Sequence, residues 1–160
     1  ILIALGLVLI YITFRFQWRQ GIAAIITLLH DVMVVVGIFS IFDKEFTLPV
    51  IAALLTVVGY SLNDTIVIFD RIRENISKFR KRELLPLINQ SVTETLSRTL
   101  LTSGTTLMVV LALVFLGGEI IHDFAFALLV GVLIGTYSSI YVASPTVLWL
   151  TKIAPPKTSD

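Results

Sequence analysis

Apolar positions fall into five runs, at residues 1–14, 21–42, 48–69, 99–116 and 124–150, separated by short polar or charged stretches. A helix rises about 1.5 Å per residue, and crossing about 30 Å of hydrocarbon takes roughly 17–25 residues. The last four runs reach that length, and the fifth, with 27 residues, predicts tilt or an extension beyond the bilayer. The first run holds only 14 residues, and no initiator methionine precedes it, so the chain is expected to begin partway through a membrane helix. Lipid offers the backbone no hydrogen-bond partners, so runs of this kind are read as α-helices rather than buried strands. The expected fold is all-α: one polytopic transmembrane bundle over residues 1–160, with a truncated first segment, four full spans and a short tail at 151–160.

The polar stretches set the orientation. Arg15 and Arg19 follow the first run; Arg71, Arg73, Lys78, Arg80, Lys81, Arg82 and Arg98 lie between the third and fourth; Lys152 and Lys157 follow the fifth. The two alternating loops, 43–47 and 117–123, hold only Lys44 among the basic residues, beside Asp43, Glu45, Glu119 and Asp123. By the positive-inside rule the basic loops and the C-terminus are expected in the cytosol. Within 70–98, Leu85, Ile88, Val92 and Leu96 recur at helical spacing, and Pro86 stands near the start of that helix, where its missing N–H costs little. This predicts a cytosolic amphipathic helix, lying on the membrane or under the bundle, or docking a partner. The cluster Arg80-Lys81-Arg82 fits topology and anionic lipid, and no basic patch extends from it to serve a nucleic acid.

Composition agrees with the membrane reading. The chain is 56% hydrophobic and 14% charged, with a mean hydropathy of +0.95, whereas soluble domains carry about a quarter charged residues. There is no cysteine, which excludes disulfides and thiol chemistry. Two histidines in no ligand pattern give no metal site, and neither a nucleophile–base set nor a phosphate loop is present, so no cofactor and no nucleotide hydrolysis are expected.

Ionisable residues inside the apolar runs are therefore the candidates for function. Asp64 lies 16 residues after Leu48, about 24 Å along the helix, in the cytosolic third of the bilayer. Asn63 is its neighbour, Tyr60 and Ile68 share its face, and Arg71 follows two turns on. A carboxylate that snorkels, or pairs with Arg71 to hold the helix, is the structural alternative to an ion-pathway role. Arg98 opens the 99–116 run at similar depth and continues into a polar stripe with Thr95, Thr102 and Thr105 or Thr106. Stripes of that kind face a bundle interior or a water-filled cavity. Glu94, one turn before Arg98, offers it a purely local partner instead. His30-Asp31 sits near the midplane of the 21–42 run and serves either as a proton relay or as an interhelical hydrogen-bonding pair; adjacent helical residues point about 100° apart and need not touch. Gly131, Gly135, Ser139 and Ala143 recur every fourth residue and predict close helix packing.

The segment Gly59-Tyr60-Ser61-Leu62-Asn63-Asp64-Thr65, followed by Phe69-Asp70-Arg71-Ile72-Arg73-Glu74-Asn75, closely resembles the SecF members of the SecD/SecF family, within the resistance-nodulation-division superfamily. His30-Asp31-Val32, Arg98-Thr99-Leu100 running into Thr102-Ser103-Gly104-Thr105-Thr106, and Gly135 through Ala143 extend the resemblance in order along the whole chain. It implies a six-helix subunit whose first helix and periplasmic domain are absent here, or the tail of a fused SecD–SecF chain, in a bacterial inner membrane. It also implies a role in which the proton-motive force helps pull exported preproteins out of the SecYEG channel, in partnership with SecD. The aspartate and arginine implicated in proton movement fall on Asp64 and Arg98. A sodium-coupled version, with Asn63 and threonine oxygens beside Asp64 as hard-cation ligands, and a passive scaffold joining SecD to the channel remain as alternatives. A drug-efflux subunit fits poorly, because the short loops leave no room for large external domains.

Overall fold

A computed structural model describes residues 18–79 and 83–153. The first predicted segment, 1–14, and the basic residues Arg15, Arg80, Lys81, Arg82 and Lys157 lie outside the described residues. Within them the chain is helical: α1 (Trp18–Ile41), α2 (Leu48–Lys78), α3 (Leu84–Leu116), α4 (Glu119–Ser138), a π-helical turn (Ser139–Ala143) and α5 (Ser144–Ile153). Four helices are long and apolar enough to cross a membrane, the last counted through the π turn to Thr151.

Two helices run further than the hydrophobic pattern suggests. The expected third span ends at Phe69, yet α2 continues to Lys78; the amphipathic stretch before the fourth span is the opening of α3, continuous with the span itself. Hydropathy marks where lipid ends, whereas a helix ends where the backbone is broken. No glycine or proline occurs between Gly59 and Pro86, so nothing in the charged DRIREN stretch stops α2. Pro86 falls in the first turn of α3, where it is tolerated. At the other end, Gly117 caps α3 and Gly118 adopts a φ of 75°, a conformation glycine supplies without strain.

The long fifth run holds a local device rather than a uniform helix. Pro145 cannot donate to the carbonyl one turn back, and its ring crowds that carbonyl. The widened π turn ends two residues before it, at Ala143, with Ser139 and Ala143 buried.

The core is divided. Toward the acidic loops, Val35, Phe39, Val50, Ala53, Val57, Val110, Ala127 and Leu128 form one apolar cluster. Toward the basic loops, Ala23, Ala24, Leu62, Ile68, Phe69, Ile72, Ile88, Ala143 and Val147 form another. Between them along the helices lie buried polar residues: Asp31, Ser61, Asp64, Thr65, Thr99, Ser103 and Ser138. At the acidic end Lys44 Nζ bridges to Asp123 Oδ1 at 2.5 Å and lies 5.2 Å from the Phe126 ring centroid, tying the α1–α2 turn to α4.

α4 packs against α2, α3 and α1, and its glycines let it approach α2 closely. A Cβ at Gly131 would run into the Val57 side chain, and one at Gly135 would lie 3.1 Å from Ser61 Cβ. Small residues at such crossings let backbones draw together in lipid, where packing rather than the hydrophobic effect drives association. Gly131→Ala should therefore lower the melting temperature of the detergent-solubilised protein, overpacking costing about 1–3 kcal/mol. Val57→Ala in the same chain should recover most of the loss. An unchanged melting temperature in Gly131→Ala would mean that the helices part to admit the methyl group.

Candidate ion-pathway site

Asp64 lies on the buried face of α2, with Ser61 one turn before it and Thr65 beside it. Across from it, α3 presents Ser91, Thr95, Thr99 and Ser103, a buried ladder with a spacing of four. The Arg98 guanidinium is within electrostatic reach of the Asp64 carboxyl. Asp64 itself is only 4% exposed, whereas Arg98 is exposed at the rim of an open hollow that it lines with Arg71, Glu74, Glu94 and Thr95.

A chain of hydroxyls crosses the bundle at this depth. Tyr60 on α2 donates to Ser103 at 3.2 Å, the Ser103 and Thr136 hydroxyls lie 2.7 Å apart, and Thr136 donates to the Val132 carbonyl at 2.7 Å. Each hydroxyl has one proton. With Thr136 committed to Val132, the Ser103 proton goes to Thr136, and Asp64 Oδ2 is left buried without a hydrogen-bond partner among the described residues. Thr65 Oγ1 and Thr99 Oγ1 are buried and unpartnered as well. A buried carboxyl oxygen with no donor calls for a proton or a rearranged hydroxyl.

A second carboxylate lies nearby. Asp31, fully buried on α1, accepts a hydrogen bond from Ser61 of α2 and lies 3.0 Å from His30 Nδ1 through its other oxygen. Ser61 and Asp64 are three residues apart, about 4.5 Å along the α2 axis. The two acidic sites thus hang from adjacent turns of one helix, one facing α1 and the other α3.

The family described as "Protein export membrane protein SecD/SecF, C-terminal" matches residues 1–153. The chain belongs to the SecD/SecF family. It is 57% identical over 150 residues to the protein translocase subunit SecF of Vibrio alginolyticus, covering 94% of this chain and 48% of that protein. To the protein translocase subunit SecDF of Thermus thermophilus it is 53% identical over 148 residues, covering 92% of this chain and 20% of that one. A crystal structure of SecDF in its super-membrane-facing form superimposes with a TM-score of 0.87 at 53% identity, covering 93% of this chain and 20% of that one. The chain thus spans about half the length of the SecF relatives and a fifth of the SecDF ones. These relatives are protein translocase subunits, and this chain carries the helical C-terminal part of that family.

Seen as a SecD/SecF domain, the residues proposed from sequence divide into those facing the interior and those facing out. Asp64, His30 and Asp31 gather around the mid-bundle polar layer, and His30 and Asp31 do touch. Asn63 is exposed, turned about 100° around α2 from the buried carboxylate it adjoins in sequence. Thr102, Thr105 and Thr106 turn their hydroxyls back onto carbonyls of their own helix, at 2.9–3.0 Å. Neither local alternative occurs: Arg71 pairs with Glu74 and Glu94 rather than with Asp64, and Glu94 pairs with Arg71 rather than with Arg98. Tyr60, Ser103 and Thr136 were missed as a set. The spacing of four from Ser91 through Ser103 carried the signal, but the stripe through Arg98 competed with it on the same helix.

Ser103→Ala should remove both cross-helix hydroxyl contacts and cost about 1–2 kcal/mol, the range seen for interhelical hydrogen bonds in model membrane peptides. Unfolding free energies in mixed micelles provide the check. Thr136→Val in the Ser103→Ala background should add little beyond that.

Proposed function

We propose that this chain is the membrane portion of a SecF-type subunit, or the tail of a fused SecD–SecF protein, that couples ion flow to protein export. Asp64 takes up and releases a proton, and its pairing with Arg98 changes as it does so. The observation that carries this reading is a carboxyl in the bundle interior with one oxygen unpartnered and a guanidinium within electrostatic reach, at the edge of a hollow. Burial and the guanidinium act on the charged form in opposite senses, so a small change in their spacing moves the balance. One charge crossing the membrane supplies about 2.3 kcal/mol per 100 mV, enough in series to bias helix movements. His30, Asp31 and Ser61 form a second titratable cluster one turn away, in the same proposed pathway.

The exposed face supports a protein partner. Asn63, Arg98 and Thr105 lie on the outside of the bundle, within or at the edge of its apolar runs. Polar groups at that depth face protein or water rather than lipid, and SecD is the partner that would cover them. The pull on the exported preprotein, as it leaves the SecYEG channel, would be exerted on the outer side, with the basic loops cytosolic in the inner membrane and lipid around the remaining apolar faces. A sodium site built with Asn63 gains no support from the exposed position of that side chain.

The deciding experiment compares ion-driven current and export in membranes carrying the full SecD–SecF assembly, wild type against Asp64→Asn, at matched assembly. Loss of proton current and of export together, with the complex intact, is the expected result. Persistence of both would make Asp64 structural and the subunit a scaffold, and a current carried by sodium at fixed pH would change the ion.

A further inference from the structure

Glu94 and Arg98 stand four residues apart on α3, in the order that favours a local ion pair on a helix. No such pair forms. Instead, Glu94 Oε2 accepts Arg71 Nε at 2.5 Å and Asn75 Nδ2 at 3.0 Å, both from α2, and Oε1 accepts Gln90 Nε2 at 2.8 Å. Both carboxylate oxygens are therefore engaged away from Arg98. The two clamping residues are themselves held. Asn75 is buried and also donates to the buried Ser91 hydroxyl at 2.9 Å, and Arg71 Nη1 donates to Glu74 at 2.7 Å.

The charges alternate across the α2–α3 hairpin. Asp64 on α2 lies within electrostatic reach of Arg98 on α3, and two turns further along α2 Arg71 meets Glu94. Sliding the helices to bring Arg71 toward Arg98 would set like charges together, so the pattern also fixes the register.

We infer that Arg71 and Asn75 are positioning residues that hold Glu94 against α2 and so keep it from neutralising Arg98, leaving the Arg98 charge available to Asp64. The inference rests on the proton-coupling reading of Asp64 and Arg98 and assigns a role to residues outside that pair. Removing the clamp frees Glu94 to close on Arg98, and the current through the Asp64 step falls even though neither pathway residue has changed. Removing the carboxylate at the same time relieves the competition.

The test measures proton-driven current in vesicles carrying the full SecD–SecF assembly, at matched assembly, for Arg71→Gln, Asn75→Ala and each combined with Glu94→Gln, with Asp64→Asn alongside. The clamp variants should lose current about twofold, the factor a helical Glu–Arg pair at this spacing can divert. Glu94→Gln should restore it in both backgrounds. If the double variants are as impaired as the singles, or more so, the contacts merely staple two helices together and the inference is overturned. Wild-type current in both clamp variants overturns it as well. Should Arg71→Gln fail to assemble, Asn75→Ala, which loosens Glu94 by removing one of its two α2 donors, decides the matter. Asp64→Asn separates the two levels: current persisting there overturns the proton-coupling reading, whereas its loss beside unaffected clamp variants overturns only the positioning role.

Discussion

Charged and hydroxyl groups in the middle of an apolar bundle must find partners within the bundle, because lipid supplies none. Here that requirement is met by a polar layer pressed between two hydrophobic clusters, and the helices are arranged around it. Asp31 is satisfied by Ser61 and His30, and Ser103 by Tyr60 and Thr136, so the layer joins α1 to α2 and α2 through α3 to α4. Asp64, with the neighbouring Thr65 and Thr99 hydroxyls, is left incompletely satisfied by the layer. In a rigid structural network such a gap would be a defect. In the proton-coupling role proposed for Asp64, it would allow both protonation states to exist.

The layer depends on helix proximity, and that proximity comes from missing side chains. Gly131 and Gly135 let α4 lie against Val57 and Ser61 of α2. Ser61 is then held between a glycine of one helix and the carboxylate of another, which fixes its hydroxyl for Asp31. The apolar clusters above and below keep this geometry in place, Phe39 at one end and Phe69 at the other each being fully buried. The π turn at Ser139–Ala143 continues the same small-residue face up to Pro145 without breaking the helix.

Beyond the apolar layers, α2 and α3 continue together as an antiparallel pair whose contacts are polar. Gln20 of α1 reaches the Phe69 carbonyl at 3.3 Å, Asn75 reaches Ser91 and Glu94, and Arg71 joins Glu94 to Glu74. Surface ion pairs on their own add little stability. A buried asparagine with defined partners does more to select one arrangement, so this end of the hairpin has a set register while remaining open to solvent.

The sequence alone determined that this is a helical membrane bundle, and it marked Asp64 and Asp31, with His30 beside it, as ionisable groups within apolar runs. Hydropathy and the cost of burying charge are local quantities, legible residue by residue. Helix ends were less legible, since the charged stretch after Phe69 ends the hydrophobic run without ending the helix. Only the tertiary structure decided which faces meet. It turned Asn63 and Thr105 outward, brought Ser103 and Thr136 together across 33 positions of sequence, and gave Glu94 to Arg71 instead of Arg98. A helix offers several polar faces within one turn of each other, and the choice among them is made by the glycines and apolar side chains of neighbouring helices, which no single segment encodes.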